Sequence, residues 1–75
     1  MVNTNELRAA IVRKGFKMQE VAYKIGISVP SLSDKMHCKR DFKASEIECL
    51  ASLLNLSPNE IYSIFFQNMD EKMST

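Results

Sequence analysis

Residues 18–36 read MQEVAYKIGISVPSLSDKM, two short segments of helical apolar periodicity on either side of one glycine. Val21, Ala22 and Ile25 recur at the spacing that lines one helix face. Gly26 can take the left-handed backbone conformation that ends a helix without a Cβ penalty. Ile27 then supplies an apolar plug, and the Ser28 hydroxyl can cap a second helix starting at Val29. Ala22 is small where two steeply crossing helices must approach closely. These local choices agree on one geometry, a helix-turn-helix, and duplex DNA is its expected ligand.

With 75 residues, 45% apolar and 25% charged, the chain has material for one small core of ordinary globular composition. The expected division is a helix-turn-helix domain over residues 1–66 and a frayed tail over 67–75. No apolar run nears the roughly 20 residues that span a bilayer, and no cationic stretch followed by an apolar core marks the N-terminus, so the expected location is cytoplasmic. Net charge is only +1, but it is unevenly spread. Residues 8–43 hold nine basic residues against three acidic ones, whereas the remainder holds Lys72 against six acids. A basic front and an acidic rear would orient the molecule toward phosphates; the plainer explanation is lysines solvating helix surfaces.

The whole chain reads as all-α, with five helices. The first runs from about Asn5 to Lys14, with Asn3 and Glu6 as a capping pair, a Leu7, Ala10 and Ile11 stripe, and Gly15 as its stop. The second and third form the pair described above, with Leu32 and Met36 turned inward and Pro30 in a first turn, where its missing amide costs little. The fourth, from about Ala44 to Leu54, places Ile47, Leu50, Ala51 and Leu54 on one face and stops at Asn55. Ser57-Pro58-Asn59-Glu60 combines a serine cap, a first-turn proline and a reciprocal glutamate, a strong start for the fifth. Its apolar pairs, Ile61 with Phe65 and Tyr62 with Phe66, sit about 100° apart around the axis, and Ile64 widens the surface.

Taken together, residues 5–66 resemble the helix-turn-helix domain of phage Cro proteins and phage repressors, a five-helix lambda-repressor-like fold. The segment LSDKMHCKRDFKASEIECLASLLNLSPNEIYSIFF resembles small lysogeny-switch regulators, Cro-like proteins or modulators of repression, of temperate phages from Gram-positive bacteria. The resemblance implies that the third helix enters the major groove. The chain departs from the family pattern at His37 and Cys38, where relatives commonly carry asparagine and glycine, and at Lys43, where they carry a capping threonine. Val29 and Pro30 stand where relatives often have polar base readers.

With Leu32 and Met36 facing inward, the expected base-reading set is Val29, Pro30, Ser33, Asp34 and His37. Ser33 can donate to or accept from a base edge, Val29 can pack on a thymine methyl, and Asp34 can only accept, as from the cytosine amine. Expected phosphate contacts are Lys17, Gln19, Ser31, Lys35, Lys39, Arg40 and Lys43, with Gln19 at the positive end of the second helix. Competing explanations exist for Ser31 and Asp34. Ser28 and Ser31 can act as caps alone, and Asp34 can pair with Lys35 or Arg40 or face a protein.

His37, Cys38 and Cys49 lack a paired-cysteine spacing and a fourth ligand, so no metal and no cofactor is expected. Cys49 reads as small core filler and Cys38 as an exposed thiol. There is no glycine-rich phosphate cradle, and the single histidine has no nucleophile and acid to complete a relay, so a non-enzyme is expected. One such domain buries little surface on DNA, so a homodimer is expected at least on the operator, through Tyr62, Ile64, Phe66 and Met69; alternatively, these residues merely close the domain's own core. The function expected is sequence-specific transcription regulation in a phage genetic switch by operator occupancy. The alternative is a modulator that binds a cognate repressor and masks its DNA-reading surface.

Overall fold

In a computed structural model, residues 2–66 are described, and they form helices only. The order is α1 (Thr4–Arg13), α2 (Met18–Ile25), α3 (Val29–Met36), α4 (Ala44–Leu53) and α5 (Pro58–Ile61), which runs on as a π-helical turn over Tyr62–Phe66. The expected all-α, five-helix architecture is what the chain adopts, with the last helix widened into a π turn. The tail expected over 67–75 lies outside the described residues. None of the helices described is long and apolar enough to cross a membrane.

Helix starts follow the local chemistry. The Asn3 side chain accepts the Glu6 amide at 3.2 Å, Ser28 Oγ accepts the Ser31 amide at 3.2 Å, and Ser57 Oγ accepts the Glu60 amide at 3.2 Å. Glu60 returns the bond by accepting the Ser57 amide, closing the box at the start of α5. Glu6 does not reach back to Asn3; its carboxylate accepts from Ser63 Oγ at 3.1 Å and helps join α1 to the π turn.

Four helices stop in the same way. Gly15, Gly26, Cys38 and Asn55 all have positive φ, from 52° to 80°. In each case the next amide reaches back five residues: Phe16 to Ile11, Ile27 to Ala22, Lys39 to Asp34 and Leu56 to Ala51, at 2.9–3.1 Å. After α1, α2 and α4 the residue that follows is apolar and half-buried against the core. After α3 it is the exposed Lys39, so this turn alone points a cation outward.

Cys38 thus takes a left-handed turn that suits glycine, at φ 64°. A side chain in that region costs roughly 1–2 kcal/mol, part of which the floppier unfolded glycine chain would return. Cys38→Gly is therefore expected to raise stability by about 0.5–1 kcal/mol, checked by the urea midpoint.

α2 packs against both α3 and α4, and α1 packs against the π turn. Leu7, Val21, Leu32, Met36, Leu50 and Leu54 are fully buried where these elements meet. Two expectations are corrected here. Ile64, expected at an interface, is only 2% exposed and belongs to the core, where its carbonyl also accepts the Asn3 amide at 2.7 Å. Cys49, expected as core filler, is exposed, because it lies a full helical step around α4 from the buried Leu50.

Candidate nucleic-acid interface

α3 is set on the surface by its own two ends. Ser28 caps its start, Pro30 occupies the first turn, and Thr4 Oγ1 donates to the Met36 carbonyl at its close. Leu32 and Met36 anchor its inner face. Val29, 39% exposed at the first turn although in phase with that pair, joins exposed Pro30 and His37 and half-buried Ser33 and Asp34. The five expected base readers are thus all at least partly exposed, whereas Leu32, Lys35 and Met36 of the same helix are buried.

The His37 imidazole has a defined orientation. His37 Nδ1 lies 2.8 Å from the Ser33 carbonyl, which can only accept, so Nδ1 carries the proton. In the neutral ring Nε2 is then the acceptor. Ser33 Oγ sits 3.5 Å from the same ring nitrogen, so serine and histidine form one polar unit along the helix.

Exposed cations stand in the segments before α2 and after α3. Lys17 and Lys43 are the N-cap residues of α2 and α4, and Lys39 and Arg40 occupy the loop after α3. Gln19 is exposed in the first turn of α2. Arg40 Nη1 reaches Ser31 Oγ at 3.4 Å, which holds the guanidinium against the helix. Ser31 is thus half-buried and engaged by a side chain as well as by the cap. The loop is itself anchored, since the Phe42 ring meets Phe65 edge-on at 5.6 Å.

Lys35 does not belong with these cations, contrary to expectation. It is 7% exposed, and its Nζ donates to both Glu46 oxygens at 2.7 Å. Its charge is spent inside the protein, so it cannot reach a phosphate, and pairing with Asp34 is removed as well. Burial alone would raise the Glu46 pKa. The Lys35 hydrogen bonds, the Lys43 amide and both lysine charges outweigh that effect and hold it below the usual carboxylate value.

Two residues that the sequence reading passed over stand out here. Glu46 is one, and its signal was a charge in phase with buried Leu50, facing a helix with a charge of opposite sign in phase with Leu32. Tyr23 is the other: it is 83% exposed and four residues after Gln19, hence on the same side of α2. Among the described residues, no group of three His, Cys, Asp or Glu side chains is arranged to hold a metal ion.

Of the expected contact surface on the last helix, Tyr62 and Phe66 are 42% and 37% exposed. Met69 lies outside the described residues.

The model of the Cro/C1-type helix-turn-helix DNA-binding domain matches residues 6–67, most of the chain. No curated protein and no solved structure matches it.

Proposed function

The chain belongs to the Cro/C1-type helix-turn-helix DNA-binding family, and from that premise we propose that it regulates transcription in a phage genetic switch by occupying an operator. The observation that carries this reading is the exposure, among the described residues, of Val29, Pro30 and His37 on α3, together with the exposed cations Lys17, Lys39, Arg40 and Lys43. In the major groove, Val29 packs on a thymine methyl, while Ser33 and the His37 acceptor meet base edges. Pro30 and Asp34 border this patch. Gln19, at the positive end of α2, and the flanking cations hold the phosphates, which set register without reading sequence. Ser31 contributes through Arg40.

Two copies joined through Tyr62 and Phe66 would read half-sites about 34 Å apart, one helical turn. A dimer supplies the buried area that one small domain lacks.

Single substitutions separate reading from positioning. Ser33→Ala is expected to weaken binding to the preferred duplex by about 1 kcal/mol, with little effect on unrelated DNA. Arg40→Ala is expected to weaken all duplexes alike and to flatten the log–log salt slope by about 0.9 per site. Both are read from fluorescence titrations with labelled duplexes. The opposite pattern contradicts this division of roles.

The exposed Val29-Pro30 pair and the acidic Asp34 favour a second reading, in which the same face covers a repressor's basic DNA-reading surface. That reading predicts no DNA binding by the chain alone and release of the repressor from its operator.

A further inference from the structure

We propose that Glu46 is a positioning residue for DNA recognition, its single carboxylate fixing the reading helix and the phosphate-facing loop in one register. The inference rests on the DNA-binding reading above and adds a residue that touches no DNA.

The geometry is specific. Glu46 Oε1 accepts from Lys35 Nζ at 2.7 Å and from the Lys43 amide at 2.8 Å, while Oε2 accepts from Lys35 Nζ at 2.7 Å. Lys35 belongs to α3, and Lys43 ends the loop that carries Lys39 and Arg40. One buried group therefore ties the outer helix to the far end of the cationic loop, and both side chains of the pair are 8% exposed. The near end of the loop is already held, by the Lys39 amide on the Asp34 carbonyl and by Arg40 on Ser31. The segment between α3 and Lys43 comprises six residues, 37–42, with Phe42 packed on Phe65.

Such a cross-link matters because sequence reading needs base-edge and phosphate contacts to be met at once. A side chain already in place avoids the ordering loss that a mobile one incurs on binding. A nonspecific complex is less demanding, since phosphates recur along any duplex and loosely held cations can find them. Loss of the cross-link should therefore lower specific affinity more than general affinity.

The test uses the full chain and two duplexes, one selected from a random pool by the wild type and one unrelated. Lys35→Met combined with Glu46→Leu removes the link while filling the same space, a kind of replacement that commonly preserves folding. Glu46→Gln keeps an acceptor for the Lys43 amide but removes the charge, and Lys35→Arg keeps the pair. Affinities are measured where circular dichroism shows complete folding, and amide exchange is followed over residues 39–43. For the double variant the expected result is a loss of about tenfold on the selected duplex, little change on the unrelated one, and faster exchange in the loop. Glu46→Gln should shift both readouts in the same direction, and Lys35→Arg should retain the wild-type ratio.

Folded variants that keep the wild-type ratio of affinities, or that lose equally on both duplexes, overturn the positioning role alone. A wild-type chain that binds no duplex overturns the DNA-binding reading, and this inference with it.

Discussion

Glu46→Ala is expected to destabilise the fold by about 3–5 kcal/mol, because it strands the Lys35 ammonium in the interior without a partner. A 75-residue domain has roughly 4–11 kcal/mol in total, at about 0.05–0.15 kcal/mol per residue. The loss is thus a large share of the whole, and thermal unfolding should shift down by more than about 10 °C. Removing both charges together, with Lys35→Met and Glu46→Leu, should be nearly neutral, since desolvating two ions offsets much of their attraction. That contrast separates the harm of an orphaned charge from the worth of the pair.

The same carboxylate sets an acid limit. Its folded-state pKa is lowered below the ordinary 4.5, so its contribution is fully present above that value and is lost as pH falls through the folded-state value. Glu60 shifts in the same direction, held down first by the Ser57 amide, but it sits at the surface and adds less. Urea midpoints measured from pH 7 to pH 3 should therefore decline below about pH 4.5. Glu46→Gln should show a shallower decline.

DNA binding should collapse with salt. Lys17, Lys39, Arg40 and Lys43 are four exposed cations per copy that flank the reading face, and two copies would engage about eight phosphates. Each released counterion contributes about −0.9 to the slope of log affinity against log salt, giving a slope near −7. Between 50 and 200 mM salt the affinity should then fall roughly 10⁴-fold. Had Lys35 been a surface cation, the slope would be steeper by about 2 for a dimer, so the measurement also tests its burial. A change below about tenfold over this range would contradict a phosphate-dominated interface.

Much of the architecture was legible because it rests on short-range chemistry. Gly26, Ser28 and the Ser57-to-Glu60 box act within a few residues, and a sequence window contains all that they need. The turn after α3 was less legible, since Cys38 is not a residue type that favours the left-handed stop it adopts. The interior partners were harder to see. Lys35 looks like one more surface lysine until α2, packed on both α3 and α4, brings Glu46 to meet it. Cys49 was assigned by residue type, although its phase relative to Leu50 already turned it outward. Ile64 shares a face with Ile61 and Phe65, so part of the apolar width of the last helix belongs to the core.

The reading face itself was the most accessible part of the site. Once Leu32 and Met36 are buried, helical phase turns Ser33 and His37 outward, whereas Val29, in phase with the buried pair, is exposed because it begins the helix. The bond from His37 to the Ser33 carbonyl, and the Arg40 contact with Ser31, depend on rotamers that spacing cannot give.

The most direct test is a nuclear magnetic resonance titration of the chain with the duplex it enriches from a random pool. Binding through α3 predicts that a preferred sequence emerges and that the amides of Val29, Ser33, His37 and Arg40 shift first and furthest. If no sequence is enriched, or if the shifts gather at Tyr62 and Phe66 while α3 stays silent, the outer face of α3 is not where DNA is read.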